Sequence, residues 1–166
     1  MEGLCVTTQP EPPLIVRRAT SDDRRAALSL ISPSSGRGRA SLSLLRAQQG
    51  ILWVAVERPS GAAADETLVG LLLATAQVEA EEETVVGYIH ELLVHPAYRR
   101  RGVAMELLDA AERYFLVECA FGMVSVTTSF DNDAAIRLYR SRGYSLSQAR
   151  LAKRRDETPS SDGAER

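Results

Sequence analysis

Runs of apolar residues broken by polar loops divide the chain into short segments of two kinds. "LIVRRA" (Leu14–Ala19) reads as a strand. "TSDDRRAALSLI" reads as a helix, with Thr20 or Ser21 available as cap, acids in the first turn, and Ala27, Leu30 and Ile31 on one face. After the loop "SPSSGRGR", "ASLSLLRAQQ" predicts a second, weaker helix stopped by Gly50. "ILWVAVERPSG" and "TLVGLLLATAQV" predict strands, the latter central because it is apolar throughout. "EAEEE" (Glu79–Glu83) reads as a loop or hairpin tip, and "TVVGYIHELLV" as another strand. A long amphipathic helix is expected from Arg101 to about Glu118, with Ala104, Leu107, Leu108, Ala111 and Phe115 facing inward. "GMVSVTTS" is rich in β-branched residues and reads as a strand, "DNDAAIRLYRSRG" as a helix, and "YSLSQARLA" as a last strand. The order β-α-α-β-β-β-α-β-α-β, with three consecutive strands and one later crossover, predicts a single α/β domain on a mixed sheet (α+β in its segregation), mostly antiparallel. Residues 1–13 and 153–166 are polar and aperiodic, and are expected to be a disordered leader and tail around a domain at 14–152.

Charge and composition narrow the function. With 20 basic and 22 acidic residues the net charge is −2, which gives no reason to expect a nucleic-acid partner. No apolar run reaches the roughly 18 residues of a membrane helix, and "MEGLCVTTQPEPP" lacks the plan of a signal peptide. Cys5 and Cys119 are far apart, and His90 and His95 are not at helical ligand spacing, so neither a disulfide framework nor a metal site is expected. The expectation is a cytoplasmic protein in a reducing compartment. Trp53 and Cys119 read as core.

Two stretches carry the chemistry. In "VHPAYRRRGVA" a strand ends near Val94, a tight turn holds three arginines, and a helix begins at about Arg101–Gly102. A helix N-terminus offers free N–H groups and a partial positive charge, and the small Gly102 and Ala104 let an anion approach the backbone. In "NDAAIRLYRSRGY" Asn132, Ala135, Ile136 and Tyr139 share one helix face. Singly, Asn132 is a helix cap and Tyr139 a core residue with its hydroxyl at the rim.

Together the stretches form a pattern, R/Q-x-x-G-x-G/A after a strand ending V-x-P, then N-x-x-A-x-x-x-Y-x-x-x-G-Y/F. Here it is Arg99-Arg100-Arg101-Gly102-Val103-Ala104, followed by Asn132, Ala135, Tyr139, Gly143 and Tyr144. It resembles the GNAT superfamily of acyl-CoA-dependent N-acyltransferases over about Leu14 to Leu151, most densely from Gly87 to Tyr144, with Ala104 where glycine is more frequent. The resemblance implies acetyl-CoA as acyl donor, its pyrophosphate on the backbone of about Arg100 to Ala104, and phosphate attraction from Arg99, Arg100 and Arg101. It implies the pantetheine arm along Leu92, Leu93 and Val94, where neighbouring strands splay, with an N–H near Leu93 or Val94 for the oxyanion. Asn132 would support the cofactor arm or the splayed strand. An amine, from a small molecule or a peptide or protein, would attack the thioester directly. The resemblance also offers His90 or Glu91 as base and Tyr139 as the acid that protonates the departing thiolate. Adjacent strand residues face opposite sides, so only one of His90 and Glu91 should point into the site unless a bulge intervenes. The pattern leaves open a longer acyl donor and a non-catalytic CoA-binding module. Homodimer pairing through sheet edges or C-terminal strands enters only by analogy with relatives.

Overall fold

The structure is a computed structural model, which describes residues 12–31, 41, 43, 49–58, 66–79 and 84–146. The first compact unit ends at Thr127 and the second begins at Thr128.

In the first unit, strands β1 (Leu14–Arg18), β2 (Ile51–Glu57), β3 (Thr67–Glu79), β4 (Thr84–Val94) and β5 (Met123–Val126) form one sheet in the order β1-β2-β3-β4-β5. The first three pairings are antiparallel and the last, β4 with β5, is parallel. The mixed, mostly antiparallel sheet expected from the pattern is therefore the one observed. Helix α1 (Asp23–Ile31) lies between β1 and β2 in the chain, and α2 (Val103–Glu112) between β4 and β5.

The two helices explain why the central strands read as continuously apolar. Leu71 packs with Ala27 and Ile31 of α1, joined by Leu52, Leu68 and Leu93. A Cβ at Gly70, the residue before Leu71, would instead meet Val103 and Leu107 of α2. Strand residues alternate in direction, so β3 feeds both layers and is buried from Val69 to Ala74. Burial of large side chains such as Leu71, Leu72, Leu107 and Leu108 supplies the main driving force.

Local detail departs from the pattern in three places. Thr20 does not cap α1 with its side chain. Its N–H and hydroxyl both donate to the Asp23 carboxylate, at 2.7 and 2.9 Å. That carboxylate also accepts from Arg17, which reaches on to Glu66, and the two acids are held below their usual range chiefly by this guanidinium. The long helix changes character at its end. After Glu112 the backbone widens into a π-helix, Arg113–Glu118, which seats Phe115 in the core. The Phe115 ring lies where a Cβ on Gly87 would fall, 2.4 Å from its Cγ, so β4 and this turn approach as closely as a glycine allows. Residues 144–146 follow no strand geometry. The rest of the expected last strand and most of the expected second helix lie outside the described residues, as do the expected tail and all but the end of the expected leader. Trp53 is core as expected, whereas Cys119 is only half-buried. No helix among the described residues is long and apolar enough to cross a membrane.

The second unit contains helix α3 (Asp133–Ser141). Asn132 caps it, its side-chain oxygen accepting from the N–H of Ala135, and Gly143 follows with a φ of +87° that favours glycine.

Candidate active site

Strand β4 contains a bulge. Across the β3–β4 ladder Ala74 is opposite Ile89 and Leu73 is opposite Glu91, so His90 has no opposite residue. The extra residue changes which side chains share a face. The His90 Nε2 lies 2.7 Å from the Thr75 hydroxyl, and its ring is 4.8 Å from that of Tyr88, the residue directly opposite Thr75. Leu73 and Thr75 are two apart on β3 and share a face, and Glu91 is opposite Leu73. His90 and Glu91 therefore lie on the same side of the sheet, the side that carries α1. The bulge resolves the alternation that strict strand geometry would have forced.

The environments of the two groups differ. Glu91 accepts a hydrogen bond from the Ser41 hydroxyl at 2.8 Å, and Ser41 is buried. His90 is half-buried, and burial alone lowers its pKa, because the imidazolium loses solvation. A neutral imidazole at pH 7 is the form that can take a proton. The Thr75 hydroxyl is also 3.3 Å from the Gln77 amide, which donates to it. The hydroxyl can still either donate to His90 Nε2 or accept from it, according to the tautomer of the ring.

Beyond the bulge β4 loses its parallel partner. The β4–β5 ladder covers Val86–Ile89 against Met123–Val126 and goes no further, whereas β3 still pairs β4 out to Val94. Backbone groups of His90–Val94 that point away from β3 thus have no strand to meet among the described residues. This is the splay expected at Leu92, Leu93 and Val94.

The chain then turns into α2. His95 accepts from the N–H of Ala97 and opens a single 3₁₀ turn, Pro96–Tyr98. Arg100 and Gly102 both have positive φ, 65° and 81°. Gly102 is the N-cap of α2, no side chain caps the helix, and a Cβ placed there would meet nothing within 4 Å. The glycine serves the backbone conformation, and the space before the first N–H groups of α2 is open. An oxyanion of a phosphate fits such an end, which supplies donors and a partial positive charge.

The three arginines divide. Arg99 Nε lies 3.5 Å from the Val94 carbonyl oxygen, and Arg100 is exposed. Arg101 turns inward, its guanidinium over the Tyr98 ring at 4.9 Å and 3.7 Å from a Glu57 carboxylate oxygen. The same carboxylate accepts from the Tyr98 hydroxyl at 2.6 Å, and that bond raises the Tyr98 pKa. Glu57 at the end of β2 therefore pins both ends of the turn. Sequence reasoning missed it, because nothing in the order of residues joins an acid after β2 to a turn after β4.

On the α1 side of the sheet a cavity of about 330 Å³ is lined by Thr20, Ser21, Arg24, Gln49, Leu52 and Leu73, among others. Leu73 is the cross-strand neighbour of Glu91. Gly50, also on the wall, lies against Thr75, whose hydroxyl contacts His90. Each candidate base is thus one residue removed from the cavity wall, Glu91 behind Leu73 and His90 behind Gly50 and Thr75. In the second unit, Tyr139 is buried and its ring lies 5.4 Å from that of Tyr144. Asn132 is committed to its cap through its oxygen, which leaves its amide nitrogen to donate elsewhere.

The sequence model of the Acetyltransferase (GNAT) family matches residues 25–144, most of the chain. The chain belongs to this family, and with it to the enzymes that transfer acyl groups to nitrogen. No curated protein matches it. Among solved structures it is similar to an aminoglycoside N-acetyltransferase, AAC(6')-Iy, in complex with CoA, at 18% identity and a TM-score of 0.69, covering 87% of this chain and 96% of that one. It is also similar to a protein from Bacillus halodurans described as a transcriptional regulator, at 22% identity and a TM-score of 0.66, covering 86% and 99%. A third is the aminoglycoside acetyltransferase meta-AAC0020 from an uncultured soil metagenomic sample, at 21% identity and a TM-score of 0.63, covering 87% and 97%. At these identities the likeness establishes the fold.

Proposed function

We propose that the protein transfers an acetyl group from acetyl-CoA to a primary amine by direct attack with both substrates bound. The observation that carries this reading is the β4 bulge. It sets His90 and Glu91 on one face, close behind a cavity wall, at the start of the stretch of β4 that lacks its parallel neighbour.

Acetyl-CoA supplies an activated thioester. The backbone N–H groups of Gly102, Val103 and Ala104 hold its pyrophosphate, and the side chains of Arg99 and Arg100 add attraction. Arg101 contributes through its backbone, since its guanidinium is engaged by Glu57 and Tyr98. The free backbone edge of Leu92, Leu93 and Val94 pairs with the pantetheine amides as an added strand would, and one N–H there faces the developing oxyanion. Asn132 supports the arm through its amide.

The amine enters from the α1-side cavity. An amine must lose a proton to become a nucleophile, and His90, neutral through burial, takes it directly or through water. Glu91 attracts the ammonium form and is the second candidate base. Tyr139 donates a proton to the departing thiolate, a transfer between groups whose reference pKa values differ by about two units. Two similar structures are those of aminoglycoside acetyltransferases, which supports a small amine-bearing molecule as acceptor. The scarcity of cysteine supports a reducing, cytoplasmic setting.

The test is free-thiol release from acetyl-CoA by the purified protein with a panel of amines. Amine-dependent release is expected, and Tyr139→Phe should lower kcat by about 10²-fold while the KM for acetyl-CoA is kept. Acetyl-CoA binding without release by any amine would leave a silent CoA-binding module in place of an enzyme.

A further inference from the structure

The α1-side cavity has a charge of its own. Of the described residues that line it Arg24 alone is charged, and the others are hydroxyl, amide, small or aliphatic side chains. Arg24 is half-buried in the first turn of α1. Among the described residues its guanidinium has no hydrogen-bond or ion-pair partner. The neighbouring acids are already occupied. Asp23 is bonded to Arg17 and Thr20. Asp22 is exposed and accepts from Ser21. Glu91, beyond Leu73, accepts from Ser41.

A guanidinium facing a cavity, with no acid of its own, has five donors to offer and one positive charge to balance. The Gln49 amide adds a neutral donor to the wall, whereas the Thr20 and Ser21 hydroxyl protons are given to Asp23 and Asp22. From these observations, and resting on the acceptor site proposed above, we infer that the acceptor carries a carboxylate besides its amine. Arg24 binds the carboxylate, and the amine lies toward His90 and Glu91 at the other side of Leu73 and Gly50. The class is that of amino acids and other small zwitterions. A cavity of about 330 Å³ is at the small end for ligand sites, which suits a molecule of that size. A polycationic acceptor would bring several ammonium groups to a wall whose one charged residue, among those described, is a cation.

The test is binding in the presence of CoA, which holds the donor site without reacting. The L-amino acids, their carboxamides, and spermidine as a polycation serve as probes, with calorimetry or thermal unfolding as readout. The amino acid that binds best should exceed its own carboxamide by about 10- to 100-fold, the range of a charge-assisted bond lost. Arg24→Gln should reduce that ratio to near one. Arg25→Gln, which changes an exposed charge outside the cavity, should leave it unchanged. Equal or tighter binding of carboxamides or spermidine would overturn the inference, as would a preference that survives Arg24→Gln, or no binding of any amino acid. Thiol release with spermidine alone would sink the carboxylate and leave the acetyltransferase standing. Failure to bind CoA at all would sink both.

Discussion

His90 and Glu91 owe their common face to one extra residue in β4. Without the bulge strict alternation would leave only one of them on the cavity side. With it, the ring rests between Thr75 and Tyr88, half out of water. Burial lowers its pKa below the usual histidine value of about 6.5. Two consequences follow, with the same sign. The kcat/KM profile should rise with pH along a limb lying below 6.5, because the free enzyme's base is already neutral above it. Folding stability should fall as pH drops through that region, because the unfolded chain takes up the proton first. His90→Ala should abolish the limb and lower kcat/KM by about 10²-fold, whereas Glu91→Gln should keep the limb. A limb that survives His90→Ala and disappears in Glu91→Gln would reverse the assignment. The bases were legible in "YIHELL" as residue types. Their common face was not, because alternation along one strand carries no information about register against its partner. Arg101 is the opposite case. Its charge suggested a phosphate ligand, and the structure gives its side chain to Glu57.

At the scale of elements, the strand pattern was readable because burial on both faces leaves little choice of residue. The ends of β4 fall where the alternation and the following proline place them, Thr84 and Val94. The π-helix was not readable, since one wide turn keeps the same apolar stripe as an α-turn. It has a sharp consequence nonetheless. Phe115 fills the space above Gly87 so closely that a methyl there would lie 2.4 Å from the ring, on the strand pair that carries the end of the β4–β5 ladder. Gly87→Ala forces either the π-helix or β4 to shift. Overpacking of this kind costs roughly 1–3 kcal/mol, which a lowered urea midpoint with an unchanged slope should report. Unaltered stability would mean that the π-helix relaxes freely and is not what draws β4 and α2 together.

At the scale of the whole molecule, the residues of the family pattern are divided between two compact units. The turn and Gly102 belong to the first, and Asn132 and Tyr139 to the second. The family match runs through both, from 25 to 144. A ligand that binds only the folded chain stabilises it, by about 2.7 kcal/mol at a hundredfold excess over its Kd. That linkage isolates the turn from the rest of the machinery if the right substitutions are compared. Gly102 has a φ of +81°, so any other residue there pays roughly 1–3 kcal/mol in backbone strain. Nothing stands within 4 Å of a Cβ placed there, so a methyl adds no clash. Gly102→Ala therefore carries the strain alone. Gly102→Glu carries the strain and also sets a carboxylate before the N-terminus of α2. There it is favourable to the helix dipole and hostile to a pyrophosphate. Both variants should unfold at a lower temperature than the parent, the Glu variant no lower than the Ala one. On addition of CoA the parent and Gly102→Ala should gain stability, and Gly102→Glu should gain none. A Glu variant that keeps the full shift would remove the pyrophosphate from this turn. A common loss in both variants would make the backbone conformation, rather than the charge at the helix end, the feature on which the cofactor depends.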